Sequence, residues 1–263
     1  PDESLRYHLS RNHLSKWLYA RALFSLGEFL KEISLDDFSS LDQARRFIFD
    51  TIANFRRSKG HGVIADFYRE HFDEYLTFTR IGEGSMGGKA RGLAFLDHII
   101  KQNQLADSFE ESVVSIPRTV VLSTDIFDEF MEENNLYDIG LSDAGDREIL
   151  DAFLKARLPF RIHKDLLVFI SIISGPVAIR SSSLLEDSHF QPFAGVYSTY
   201  MIPKAENEIV MLEILSVGIK SVYASVFYRG SKNYMKATAN QIEEEKMGIV
   251  LQEVCGQQYG NRF

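Results

Sequence analysis

The sequence has a single cysteine, Cys255, among 263 residues. That excludes a disulfide framework and a multi-cysteine metal site, and it fits a reducing cytoplasm. Its seven histidines show no H-E-x-x-H or comparable metal-ligand spacing, so each reads as structural or solvated. Long apolar runs are also lacking. The longest nearly apolar stretch, residues 166–179, is broken by Ser171, Ser174, Gly175 and Pro176 and falls short of the roughly 20 residues a transmembrane helix requires. No basic segment precedes an apolar one at the N-terminus, so no secretory signal is visible. No internal repeat or low-complexity segment interrupts the chain. The expectation is a cytoplasmic protein with no membrane partner.

Positive charge is in deficit: 29 Lys and Arg face 37 Asp and Glu, a net charge of −8. The imbalance is concentrated in residues 104–153, where 13 acidic side chains stand against 2 basic ones. Phosphate contacts need clustered Lys and Arg, so a nucleic-acid surface is excluded there, and the stretch reads as a solvated helical face. The remaining composition, 45% hydrophobic and 25% charged, is that of a globular chain and excludes a disordered or collagen-like one. The length suggests one to two domains. The chain begins at Pro1 and ends at Phe263, ten residues after an apparent strand, which suggests a piece of a longer protein.

Residues 10–78 read as helical. Leu14, Leu18, Ala22, Leu26, Leu30 and Ile33 recur at helical spacing, with Trp17 and Phe29 widening the stripe. Ser40 followed by Gln43 is a capping-box pattern, and Leu41, Ala44, Phe47, Ile48, Ile52 and Phe55 form the next apolar face. Gly60 and Gly62 break it, and a third helix is expected over 63–76. From about Thr77 the texture changes. Strand-like runs at 113–122, 177–181, 196–202 and 247–254 alternate with helical patterns at 89–101, 124–134, 143–156 and 206–229. The last helix presents Leu212, Leu215, Ile219, Val222, Tyr223 and Val226 on one face. Helices followed by mixed strands and helices indicate an α+β fold with a helical N-terminal extension over 1–78 and a second domain over 79–263.

Four segments carry residues suited to binding chemistry. The first is Gly82-Glu83-Gly84-Ser85-Met86-Gly87-Gly88-Lys89-Ala90-Arg91-Gly92, between a possible strand and an apolar helix. Glycines let backbone N–H groups approach an anion, a helix N-terminus adds partial positive charge, and Lys89 and Arg91 supply full charges. It fails as a Walker A loop, because Ala90 follows Gly-Lys and Glu83 stands where the first glycine belongs. Gly82, Gly84 and Gly87 meet the dinucleotide fingerprint G-x-G-x-x-G, although the acidic residue expected about 20 positions later has only Asp107 near it. A ligand-free connection is the third reading.

The second segment is Val177-Ala178-Ile179-Arg180-Ser181-Ser182-Ser183 with Glu186-Asp187. Arg180 and the serines read either as a phosphate clamp or as an ion pair and turn caps. The third, Gln191-Pro192-Phe193-Ala194-Gly195-Val196-Tyr197-Ser198-Thr199, reads as a cover for phosphates or as an ordinary hairpin. The fourth, Ile249-Val250-Leu251-Gln252-Glu253-Val254, reads as a buried strand whose end can face an adenine edge and a ribose.

In this order the blocks resemble the N-terminal ATP-binding domain of the phosphoenolpyruvate synthase and pyruvate phosphate dikinase family. Gly87-Gly88-Lys89-Ala90-Arg91-Gly92-Leu93 is similar to that family's Gly-Gly-Lys-Gly loop, and Ile116-Pro117-Arg118-Thr119-Val120-Val121-Leu122-Ser123-Thr124 to its Val-Pro-Pro-Gly strand. Residues 177–182 with Glu186-Asp187 resemble its Val-Arg-Ser-Ser signature, Phe193-Ala194-Gly195 its Phe-Ala-Gly loop, and residues 224–229 and 248–254 its long helix and Val-Gln strand. The resemblance covers about 79–263.

It implies an incomplete ATP-grasp-like nucleotide-binding domain. In the family, ATP and Mg2+ phosphorylate a histidine on a separate domain, and a pyruvate-binding domain then receives the phosphoryl group. Lys89 and Arg180 take the catalytic positions. Gly87, Gly88, Arg91, Ser181, Ser182, Gly195, Gln252 and Glu253 take cofactor-binding ones. The family's magnesium carboxylates lie downstream of the Val-Gln strand, so the metal ligands are unknown in this sequence. Ala90-Arg91, Arg118 and Thr119 depart from the pattern. The altered loop at Ala90-Arg91, the unmatched helical extension and the missing carboxylates leave a non-catalytic nucleotide-sensing module as the alternative to the phosphotransferase, and Gly82, Gly84 and Gly87 leave a dinucleotide-binding oxidoreductase as a weaker third reading.

Overall fold

The computed structural model describes residues 2–59 (side chains of 54 and 56–59 excepted), 65–69, 76–103, 105, 108–109, 113–183, 195–238, 242, 245–256 and 259–260. It divides into two compact units, Pro1–His61 and Gly62–Phe263.

The first unit is helical, with α1 (Asp2–Leu9), α2 (His13–Tyr19), α3 (Phe24–Lys31) and α4 (Leu41–Lys59). The single stripe read from residues 14–33 is broken in two, because Ala22 adopts a left-handed φ of 57° between α2 and α3. The turn folds the stripe onto itself. Leu18, Leu26 and Leu30 are buried together, and Phe47, Ile52 and Phe55 of α4 pack against them. Trp17 and Phe29 remain half-exposed, and the Arg21 guanidinium lies 3.9 Å over the Trp17 ring. The Ser40 hydroxyl accepts from the Gln43 amide at 3.2 Å, while the Gln43 side chain reaches back one residue further than expected, to Ser39.

The second unit is built on a mixed sheet of β1 (Ala65–Asp66), β2 (Phe78–Ile81), β3 (Thr119–Leu122), β4 (Val177–Ser183), β5 (Thr199–Ile202) and β6 (Met247–Glu253). Their order is β1-β2-β3-β6-β4-β5. The first three strands are parallel, and β6, inserted between β3 and β4, runs antiparallel to both. Around the sheet lie α5 (Gly87–Gln102), α6 (Thr124–Glu133), α7 (Leu136–Leu141), α8 (Asp146–Lys155), α9 (Phe160–Ile172), α10 (Glu208–Ser225) and α11 (Arg229–Ala237). The α+β reading holds.

The helix expected over 63–76 is corrected at 65–66, which form a strand, and its residues 63–64 and 70–75 lie outside the described residues. Ala65–Asp66 pairs in parallel with Thr79 and Arg80, and Arg80 fixes the register through its Nε, 2.6 Å from Asp66 Oδ1. Edge pairing outweighs a weak local pattern here. The strand read over 113–122 is confined to Thr119–Leu122, because Pro117 has no N–H to give a ladder. Helix α9, which the broken apolar run concealed, begins directly after Pro159.

Register fixes the faces of the sheet. Val177 and Ile179 stand beside Glu253 and Leu251 on one face, and Ala178, Arg180 and Ser182 beside Gln252, Val250 and Gly248 on the other. On the first face α10 approaches so closely that a Cβ on Gly218 would sit 2.2 Å from Ile179 Cδ1. Leu215, Ile219, Val222, Tyr223 and Val226 are fully buried there, with Leu212 at the margin. The stretch Glu208–Ala237 is long and apolar enough to cross a membrane, but it comprises two helices, and α10 is the core helix of this unit. Phe127, Phe130, Phe153 and Phe227 surround Tyr223 and one another with ring centroids 5.1 to 6.5 Å apart.

The buried Tyr223 hydroxyl has no hydrogen-bond partner among the described residues, and burial pushes its pKa well above the ordinary tyrosine value. Replacing it with Phe removes an unpaired polar atom and keeps the ring. Tyr223→Phe should therefore leave stability unchanged or raise it by up to about 1 kcal/mol, whereas Phe127→Ala should cost roughly 3–5 kcal/mol. Urea denaturation of both variants checks this, and a large loss in Tyr223→Phe would reveal a hidden partner.

Candidate functional site

The glycine-rich segment leaves β2 at Ile81 and is tied down at once by the start of α6. The Ser123 hydroxyl donates to the Ile81 carbonyl at 2.7 Å. The Asp125 carboxylate accepts from the amides of Gly84 at 2.9 Å and Glu83 at 3.2 Å. Thr124 Oγ1 accepts from the Ser85 amide at 3.0 Å. Gly82 and Gly84 allow this approach: a Cβ on Gly82 would lie 2.4 Å from Ser123 Oγ, and one on Gly84 2.7 Å from the Asp125 nitrogen. The amides of Glu83, Gly84 and Ser85 are thus bound to protein acceptors, which leaves the dinucleotide reading of Gly82, Gly84 and Gly87 without a cradle.

The segment ends against β4. Gly87 has φ +72°, and a Cβ there would meet the Ser182 carbonyl oxygen at 1.7 Å. Across the pair, a Cβ on Gly248 would lie 2.8 Å from the Met86 carbonyl oxygen. The Ser182 hydroxyl donates to that carbonyl at 2.7 Å and accepts from the Ala90 amide at 3.0 Å. It therefore stands between the Met86 carbonyl and the Ala90 amide, the pair that would otherwise make the first i→i−4 bond of α5. Met86 and Ala90 pack with Phe78, Val121 and Val250 and seat α5 on the sheet. So held, Lys89 places its Nζ 3.1 Å from Ser181 Oγ. Arg91 is exposed, and its Nε donates to the Gly87 carbonyl at 3.3 Å.

On the same sheet face as Ser182, Arg180 Nη1 donates to Gln252 Oε1 at 3.4 Å, and Gln252 Nε2 donates to the buried Thr119 hydroxyl at 3.1 Å. The amide is oriented from both ends. Arg180, Ser182 and Gln252 thus share one sheet face, and the start of α5 reaches β4 through Gly87 at Ser182 and through Lys89 at Ser181, which alternates to the other face.

Glu253 is not drawn to that face. It pairs in register with Val177 and accepts from the Ser174 amide and hydroxyl at 2.7 Å and the Gly175 amide at 2.9 Å. Partial burial opposes its charge, but these hydrogen bonds and the Arg118 charge outweigh it and hold the carboxyl below its ordinary value. Gly195 has φ +78° with open space around it. Glu186, Asp187, Phe193 and Ala194 lie outside the described residues.

Asp125 and Thr124 were not among the sequence candidates. Their signal was present: Ser-Thr-Asp at a strand-to-helix junction is where side-chain oxygens seek backbone amides.

Residues 83–260 match the family described as pyruvate phosphate dikinase, AMP/ATP-binding domain. The chain belongs to this family. It is also 31% identical over 148 residues to the uncharacterized phosphotransferase YvkC of Bacillus subtilis (strain 168). That match takes in 52% of this chain and 15% of the relative. The nucleotide-binding fold, the ATP-binding class and a phosphotransferase-type relationship follow from these matches.

Glu253 supplies a pH test. Its lowered pKa contributes stability at pH values above the ordinary 4.5, and that contribution is lost as pH falls through the folded-state value. Glu253→Ala should cost roughly 1–3 kcal/mol at pH 7 through the lost charged acceptor. Its deficit against wild type should shrink as the pH drops below 4.5 in thermal melts, and a deficit that stays constant down to acid pH would contradict this role.

Proposed function

We propose that the chain is the ATP-binding part of a multidomain phosphotransferase of the phosphoenolpyruvate synthase type. In this reading ATP phosphorylates a histidine on another domain, and pyruvate is the final acceptor. The observation that carries it is the meeting of Lys89 Nζ with Ser181 Oγ at 3.1 Å, next to Arg180. Lys89, in the first turn of α5, thus reaches the strand that carries Arg180, and a helix N-terminus is a common site for phosphate oxygens.

Lys89 acts as a mobile point charge, while Arg180 offers a planar fork for two oxygens. Gln252 holds that fork, and the sheet face beside it, floored by Thr119 and Ala178, receives the base. Phosphoryl transfer is catalysed mainly by positioning and charge neutralisation, and this arrangement provides both. The site residues proposed for the nucleotide are Gly87, Gly88, Lys89, Arg91, Arg180, Ser181, Ser182, Gly195 and Gln252. Glu253 serves the loop at Ser174. Among the described residues no three His, Cys, Asp or Glu side chains are grouped to hold a metal ion, so magnesium is assigned no ligand and no step. A cytoplasmic location accords with this reading.

The second reading, a nucleotide-sensing module without transfer chemistry, is favoured by Arg91 alone. Its side chain folds back on the Gly87 carbonyl where the resembling family continues with small residues.

In the complete protein, Lys89→Ala and Arg180→Ala should each lower turnover by roughly 10²–10³, the effect of losing one transition-state charge stabiliser. The assay is ATP-dependent formation of an acid-labile, base-stable phosphohistidine. Near-normal turnover in both variants defeats the site assignment. ATP binding without any phosphohistidine in wild type favours the sensing module.

A further inference from the structure

We propose that Asp125 is a positioning residue for the nucleotide phosphates, acting through the glycine-rich segment and held in place by Arg161. This rests on the ATP-binding reading above and adds a residue to it. The segment must carry the chain from the end of β2 to Ser181 and Ser182, and nothing in its own sequence stiffens it. Asp125 does so from outside, accepting the amides of Glu83 and Gly84 while its neighbour Thr124 takes that of Ser85.

Arg161, on α9, secures the carboxylate in turn. Its Nη2 lies 2.9 Å from Asp125 Oδ2 and its Nε 2.6 Å from Glu129 Oε2. The two glycines allow the close approach. Gly82 and Gly84 are where a side chain would collide with Ser123 and Asp125, so they make room for the carboxylate. The chain of contacts then runs Glu129–Arg161–Asp125–Gly84, with Met86 and Gly87 reaching Ser182 and Lys89 reaching Ser181. Donors fixed before a ligand arrives need not be ordered when it binds. Partial burial works against the Asp125 charge, but hydrogen bonds from Gly84, Arg161 and Glu83 hold its carboxyl below the ordinary aspartate value. The clamp is therefore ionised throughout the neutral range.

The test compares Asp125→Ala, Asp125→Asn and Arg161→Ala with wild type in calorimetric titrations with ATP and with adenosine. Amide hydrogen exchange at Gly84 is measured in parallel. Asp125→Ala should weaken ATP binding about tenfold, equivalent to one charge-assisted hydrogen bond. It should leave adenosine affinity unchanged and speed exchange at Gly84. Asp125→Asn, which keeps an acceptor for the Gly84 amide, should restore most of both, and Arg161→Ala should fall between.

ATP affinity unchanged in Asp125→Ala overturns the proposal, and so does a parallel loss for ATP and adenosine, which marks a merely structural role. A wild-type protein that binds neither compound instead overturns the nucleotide reading beneath it.

Discussion

The site depends on one close approach. The backbone at Met86 and Gly87 is pressed against β4 and β6 so tightly that neither Gly87 nor Gly248 has room for a side chain. The Ser182 hydroxyl bridges the gap, donating to one side of the helix start and accepting from the other. Because α5 begins there, its opening turn meets the strand that carries Arg180, β4, an interior strand of the sheet, and Lys89 lies in that turn. Moving that junction by one residue would turn Lys89 about 100° around the helix, away from Ser181. The apolar seat formed by Met86, Ala90, Val121 and Val250 keeps the helix from rolling.

Two further ties converge on this junction from opposite sides. Asp125 fixes the approach of the chain, and the pair Arg180–Gln252, anchored on Thr119, fixes the partner strand. The acidic region 104–153 acquires a structural meaning in this light. Asp125 and Glu129 engage Arg161, Asp128 engages Lys246, and Asp146 accepts from the Arg229 amide. What reads from composition as a solvated face includes the pins that hold α6, α9 and the glycine-rich segment together.

Much of this was legible in the sequence. The β-branched runs of β3, β4 and β6 and the apolar face of α10 depend on local pattern and were read directly, while the joint role of the Gly-Gly-Lys loop and the Arg-Ser-Ser strand came from the family resemblance, not from either segment alone. The exceptions share a cause. Ala65–Asp66 is a strand only because β2 lies beside it. Ala22 turns the chain because the stripe buries better folded than straight. Glu253 seemed to belong with Gln252, but adjacent residues on a strand point to opposite faces, and its carboxylate serves Ser174 instead. Asp125 lies some 40 residues from the amides it holds. Each is decided by contacts distant in sequence, where local propensity is silent.

The most direct test is a crystal structure of the chain with a non-hydrolysable ATP analogue. The account predicts phosphate oxygens within hydrogen-bonding reach of Lys89 Nζ and the Arg180 guanidinium, with the backbone from Gly82 to Ser85 still held by Asp125 and Thr124. Phosphates cradled instead by the amides of Glu83, Gly84 and Ser85, or an analogue bound away from the β4–β6 face, would contradict it.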